Sequence, residues 1–145
     1  DNGALLDRFG GRGTEPGNFN FPTMIWLDDE KNLLINDSLN FRIQMFSGQG
    51  TYLDHFGNYG NGTGDLFRPK SVAVDGQGHV YVTDSVFHVF QVFSRAGDYL
   101  LGVGRQGHGP GEFWMPAGIF VDHDMIYVCD SYNRRVQIFR ILGDQ

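Results

Sequence analysis

Along this chain, apolar and polar residues alternate in short bursts. Arg42-Ile43-Gln44-Met45-Phe46, Val89-Phe90-Gln91-Val92-Phe93 and Arg135-Val136-Gln137-Ile138-Phe139 each alternate with period two. That is the period of a β-strand, not the 3.6-residue period of an amphipathic helix. Two shorter sets of apolar runs precede them. One is Met24-Ile25-Trp26-Leu27, Val72-Ala73-Val74 and Ile119-Phe120-Val121; the other is Leu33-Leu34-Ile35, Val80-Tyr81-Val82 and Ile126-Tyr127-Val128. Acidic or glycine-containing turns separate the two sets, as at Asp28-Asp29-Glu30-Lys31-Asn32 and Asp75-Gly76-Gln77-Gly78. A further glycine turn leads to Tyr52-Leu53-Asp54-His55-Phe56 and to Tyr99-Leu100-Leu101-Gly102-Val103. The pattern predicts units of four short antiparallel strands, a to d.

The units are copies of one another. Pro22, Pro69 and Pro116 are spaced by 47 and 47 residues, and Asp37, Asp84 and Asp130 by 47 and 46. Phe46, Phe93 and Phe139 keep the same rhythm, as do Gly17, Gly64 and Gly111, and Gln44, Gln91 and Gln137. Four strands in such a period make a propeller blade. Residues 4–10 align with residues 51–57 and so read as an outer strand, while the chain stops where the last unit's fourth strand would begin. The expectation is an all-β propeller segment over 1–145: an outer closing strand at 1–10, blade 1 at 11–57, blade 2 at 58–104, and blade 3 at 105–145 without its outer strand. Three blades do not close a ring, because rings hold about four to eight. We expect half of a six-bladed ring, with the N-terminal strand completing the last blade and hiding its edge. A second copy related by a two-fold axis would supply the other half, or further blades of a longer chain would.

Composition narrows the functional classes. The net charge of −6 argues against a nucleic acid partner, whose phosphates call for clustered Lys and Arg. No apolar run approaches the ~18 residues of a membrane helix, so no membrane insertion is expected. The single cysteine, Cys129, excludes an internal disulfide and reads as a small buried hydrophobe on a strand. The chain opens on Asp1 without an initiator methionine, which a cleaved export signal or a truncated start would each explain.

The segment Asp130-Ser131-Tyr132-Asn133-Arg134-Arg135-Val136-Gln137-Ile138-Phe139 resembles the signature of the NHL-repeat propeller family, and Asp37 to Phe46 matches nearly as well. The lead-in Gly107-His108-Gly109-Pro110-Gly111-Glu112-Phe113-Trp114-Met115-Pro116 fits the same family. The middle repeat departs from it: Phe87 stands where Asn40 and Asn133 stand, and Val89 where Arg42 and Arg135 stand, so that junction must be held differently. The resemblance implies a rigid, non-catalytic scaffold that presents loops to a protein partner. The chain also looks like bacterial NHL proteins that accompany exported multihaem cytochromes. It has no Cys-x-x-Cys-His of its own, so that likeness implies an accessory subunit, periplasmic or extracellular. Two alternatives come from other members of the fold: part of a metal-dependent lyase or lactonase whose site lies partly outside this chain, and an RNA-binding module.

Candidate residues divide between the two faces of the blades. The a–b and c–d turns carry Asp28, Asp29, Glu30, Asp75, Asp98, Asp122, Asp124 and Asp144 against Lys31 and Arg95, which predicts an acidic face. The d–a and b–c loops carry Arg12, Arg68, Lys70, Arg105 and Arg134, together with Tyr59, Phe87, His88, His108, Trp114 and Tyr132. Aromatics beside arginine are the usual composition of interface hot spots. The expected partner-binding set is Arg12, Tyr59, Phe87, His88, Arg105, His108, Trp114, Tyr132 and Arg134. The residues that recur are assigned to structure, because an active site needs an asymmetric set. Asp37, Asp84 and Asp130 accept backbone N–H groups in the next turn. Arg42 and Arg135 tie neighbouring blades, as parts of the repeated signature with Asn40 and Asn133. Pro22, Pro69 and Pro116 fix the entry to the innermost strand. The five histidines form no His-x-His or His-x3-His pair and no acidic turn has calcium-loop spacing, so no cofactor, metal site or catalytic residue is expected.

Overall fold

The structure is a computed structural model and describes residues 3–142. It is all-β, as the alternation requires. β1 (Pro22–Leu27), β2 (Leu33–Asp37), β3 (Arg42–Phe46) and β4 (Tyr52–Phe56) form one antiparallel sheet in chain order. β5 (Pro69–Val74), β6 (Val80–Asp84), β7 (Val89–Phe93) and β8 (Tyr99–Val103) form a second. β9 (Pro116–Asp122), β10 (Met125–Asp130) and β11 (Arg135–Arg140) form a third, three-stranded sheet. The only helical turns among the described residues are the three-residue 3-10 turns Ser38–Asn40 and Ser131–Asn133, and no helix is long and apolar enough to cross a membrane.

Burial shows how the sheets stack. The central sheet is covered on both faces, and every residue of β6 is buried. In β11 burial alternates strictly, because only one face meets a neighbour. Leu34, Ile43, Met45 and Phe56 of the first sheet pack on Val72, Val74, Val80, Val82 and Phe93 of the second. Tyr81, Phe90 and Val92 then pack on Ile119, Val121, Ile126 and Val128 of the third. Each such side chain contributes roughly 1.5–3 kcal/mol on burial. The two outermost faces are open. Ile25 and Leu27 are about half exposed at one end of the stack, and Phe120, Val136 and Ile138 at the other. In the repeat, these residues correspond to buried partners inside the stack, so a further blade on each side would cover them.

Asp37 is fully buried and collects a side-chain and backbone network at the end of β2. It accepts hydrogen bonds from Asn20 N–H (2.6 Å), Asn40 Nδ2 (2.8 Å), Arg42 Nε (2.9 Å) and Gln44 Nε2 (3.0 Å). Asp130 does the same with Trp114 N–H, Asn133, Arg135 and Gln137. In the middle blade, where Phe87 and Val89 cannot donate side-chain hydrogen bonds, Asp84 accepts four backbone N–H groups instead, from Phe67, Arg68, Val86 and Phe87. In every blade the carboxylate therefore reaches back to the loop preceding the first strand; only in the middle blade does it also take N–H groups of the next turn.

Three expectations need correction. Arg42 donates to the carbonyls of Thr14, Glu15 and Asn18, and Arg135 to those of His108, Gly109 and Glu112, so each clamps the loop entering its own blade rather than tying neighbouring blades. The direct ties between blades are instead short polar side chains (Asn36 and Ser38 donate to Pro69 O, Thr83 donates to Ala117 O, and Ser71 Oγ accepts Ile119 N–H), together with the Asp28–Arg95 ion pair and the Met115 N–H bond to His88. Cys129 is exposed, because it lies on the open face of the third sheet, at the repeat position of Asn36 and Thr83. Residues 3–10 form no strand, since no sheet edge of this chain reaches them, and Leu5 and Leu6 are 82% and 94% exposed. Phe9 nevertheless packs on Phe46 (ring centroids 5.0 Å), as Phe56 at the end of β4 packs on Phe93 (5.0 Å), so this segment already occupies an outer strand's place beside the first sheet.

Replacing Asp37 by alanine removes one acceptor from the Arg42 guanidinium, from two side-chain amides and from the half-buried Asn20 N–H, and leaves the buried Arg42 charge without its counter-ion. We expect Asp37→Ala to lower unfolding stability by about 3–5 kcal/mol, read from urea denaturation of the purified chain. Burial alone raises the Asp130 carboxyl, but the donors Trp114 N–H, Asn133, Arg135 and Gln137 outweigh it and hold it below the usual aspartate range. The unfolded chain then takes up this proton first as pH falls. The contribution is present above the ordinary aspartate pKa of about 3.9 and is lost as pH drops through the lower folded value. Denaturation midpoints between pH 6 and pH 3 should fall less steeply for Asp130→Asn than for the parent.

Candidate interaction surface

The loops that link one blade to the next share a construction. Parallel bridges pair Arg12 with Phe19, Tyr59 with Leu66, and Gln106 with Phe113. Each bridge pins an apolar residue inward: Leu66 and Phe113 are fully buried. Behind them, the turns between the second and third strands dock by backbone bonds such as Leu39 N–H to Asn20 O and Tyr132 N–H to Trp114 O. The two loop sets therefore lie together on one face.

The structure divides the nine expected partner-binding residues. Tyr59 is 61% exposed and packs on Phe41 (centroids 4.7 Å) and Phe67 (5.3 Å); Phe67 in turn meets Phe87 (6.0 Å). This aromatic cluster sits where the first two sheets join. In the third blade, His108 stacks on Trp114 (4.8 Å) and its Nδ1 lies 2.6 Å from Asn133 Oδ1. Arg105 is held by Glu112 at 2.8 Å. The Glu112 carboxyl lies below its ordinary range because Gly109 N–H and the Arg105 side chain both donate to it. His88 is occupied structurally: its Nδ1 accepts Met115 N–H at 3.0 Å. Its backbone is left-handed (φ 58°), like Phe41 and Arg134 at the same position of the other blades (both φ 56°). Arg12, Tyr132 and Arg134 are exposed and form no ion pair or side-chain hydrogen bond among the described residues.

Sequence reasoning missed Phe41 and Phe67. Each stands at a position where the three repeats disagree: Phe41, His88 and Arg134 in one case, Asn20, Phe67 and Trp114 in the other. That disagreement was the available signal. Repeat positions that agree are used by the fold; where they differ, a residue either takes a local structural bond, as His88 does, or is spare, as Phe41 and Phe67 are.

The opposite face is less acidic than its composition suggests. Buried Asp28 pairs with Arg95, and Asp124 with Arg140 at 3.3 Å. Asp75 is desolvated, which raises its carboxyl, but bonds from His79, Tyr81 and Gln77 bring it below the ordinary value; burial and Asp75 together push the Tyr81 phenol up. Asp144 lies outside the described residues. A recess of about 290 Å³ opens here between the first turns of the three blades, lined by Trp26, Asp29, Val74, Asp75, Asp122 and His123 among others. The Trp26 ring reaches across to Phe120 (5.3 Å) beside the innermost strands. Among the described residues, no group of three or more His, Cys, Asp and Glu side chains is placed to share a metal ion.

These features define a partial β-propeller. A protein family described as a 6-bladed beta-propeller matches residues 76–143. Among solved structures, the chain is similar to a catalytically inactive virginiamycin B lyase from Staphylococcus aureus in complex with Quinupristin. The identity is 13% and the TM-score 0.57, over 85% of this chain and 42% of that one. It is also similar to Kuenenia stuttgartiensis hydrazine synthase, at 14% identity and TM-score 0.59, over 95% of this chain and 38% of that one. The chain thus spans about four tenths of each neighbour's length, and the likeness is one of fold. No curated protein matches the sequence.

If the exposed aromatics are spare to the fold, Tyr59→Ala should change unfolding stability by no more than about 1 kcal/mol. Phe113→Ala, which empties a fully buried site, should cost about 3–5 kcal/mol. Paired urea melts separate the two.

Proposed function

We propose that this chain is a non-catalytic interaction scaffold of the NHL type, contributing half of a six-bladed ring and binding a protein through its blade-linking loops. One observation supports this best. Tyr59 is exposed at a junction internal to the chain, where no missing blade would cover it, whereas the open apolar faces at the two ends are accounted for by missing neighbours. The recurring Asp, Asn, Arg and Gln residues are meanwhile engaged in holding the loops. The match to a six-bladed family and the four-tenths coverage of both neighbours agree with half a ring. The remaining blades come from a second copy or from a longer chain. The partner we put forward is an exported multihaem cytochrome, with this chain as its accessory subunit in the periplasm or outside the cell.

Two measurements test this reading. Light scattering on a size-exclusion column should give about twice 16.3 kDa if two copies close the ring, and the chain mass itself if the other blades belong to a longer chain. Capture from native extract should retain a haem-containing protein with the parent chain. The Tyr59→Ser/Trp114→Ala variant should lose it, and Asp29→Ala on the opposite face should keep it. Capture indifferent to the loop-face variant would overturn the scaffold reading.

A further inference from the structure

We propose that the recess walled by Leu39, Phe41, Tyr59, Phe67 and Arg68 receives a bulky apolar side chain of the partner, with Arg68 holding a carboxylate next to it. The inference rests on the scaffold reading and deepens it by naming the chemistry recognised. The recess measures about 340 Å³, near the lower end of the ~300–1,000 Å³ typical of small-ligand sites. It therefore suits one or two side chains rather than a folded element. Four of its five walls are apolar, and the aromatic ones pack at 42–57° tilts that leave a concave surface rather than parallel shelves.

Charge decides what flanks the apolar group. The Arg68 backbone N–H is used by Asp84 (3.0 Å), which fixes the residue at the rim. Its exposed guanidinium forms no ion pair or hydrogen bond among the described residues, unlike Arg42, Arg95, Arg105, Arg135 and Arg140. An unpaired cation beside an aromatic recess selects an anionic group by local complementarity. A nucleic acid strand is the less suitable occupant: bases need faces to stack on and phosphates a run of cations, and here the rings are mutually tilted and one arginine stands at the rim.

The recess is also peculiar to one junction. Tyr59, Phe41, Phe67 and Arg68 are replaced at the next junction by Gln106, His88, Trp114 and Met115. The fold does not demand these residues, because the other blades form without them. They gather at a single place on a pseudo-symmetric surface, which is what recognition of one partner segment requires.

The test is NMR titration of the full chain with blocked tetrapeptides. One carries Phe followed by Asp, a second has Lys in place of the Asp, and a third has Ala in place of the Phe. The Phe–Asp peptide should shift the ring signals of Phe41, Tyr59 and Phe67 and the Arg68 Nε–H saturably, with a dissociation constant of roughly 0.1–1 mM. The other two peptides should bind at least about tenfold more weakly. Tyr59→Ser should abolish the shifts, and Arg68→Glu should reverse the preference toward the Lys peptide; both sites are exposed, and the folded spectrum of each variant is its own control. Shifts confined to His108, Trp114 and Tyr132, or no saturable shift, would overturn the recess while leaving the scaffold reading intact. The same signals moved by oligouridine and not by the peptide would overturn it in favour of nucleic acid. Peptide binding together with capture indifferent to the loop-face variant would instead count against the scaffold reading alone.

Discussion

A carboxylate buried at the end of each second strand is the interaction on which the rest of the blade depends. Taking Asp37, Asp84 or Asp130 out of water is costly unless every oxygen is satisfied, and here the donors come from three separate places. The loop before the first strand supplies N–H groups, the turn after the second strand supplies an amide or more N–H groups, and in the first and third blades the third strand supplies arginine and glutamine. Satisfying one charge thereby joins segments up to 17 residues apart in sequence. The middle blade shows that the requirement lies with the acceptor. When Phe87 and Val89 remove two side-chain donors, the backbone closes around Asp84 and the strand geometry is unchanged.

Once each blade is internally tied, the blades need little polar specificity to stack. Their contact is mostly a layer of β-branched and aromatic side chains, punctuated by Asn36, Ser38, Ser71 and Thr83. The stack carries no stop signal: the first sheet presents Ile25 and Leu27, and the third presents Phe120, Val136 and Ile138, at positions that are buried inside it. That is the physical meaning of a repeat architecture, in which each unit's exposed face is the next unit's core.

The same repetition makes function legible through its failures. Polar residues that recur are consumed by the network described above and have no capacity left for a ligand. Residues that differ among the repeats are free of that duty, and at the first blade junction several of them are aromatic and adjacent. The acidic turns on the other face illustrate the converse. Their composition suggests a continuous negative field, yet Asp28, Asp75 and Asp124 are each engaged by a neighbouring side chain.

The strands, their order and the propeller class were all determined by sequence alone, since a period-two alternation inside a 47-residue repeat admits few other packings. The structural role of Asp37, Asp84 and Asp130 was legible too, because a charged residue repeated in every unit cannot mark a single site. Other features depended on distances that no linear spacing encodes. Arg42 and Arg135 turn back to the loop entering their own blade, and Cys129 faces outward because it lies on the face of the third sheet that no other described sheet meets. Phe41 comes from the β2–β3 turn and Tyr59 and Phe67 from the loop between β4 and β5, 18 and 8 residues apart, and they become one surface only when two blades are packed side by side. Local pattern selects the strand because each residue's face follows from its neighbours; the site depends on which loops meet, and that is set by how whole blades pack.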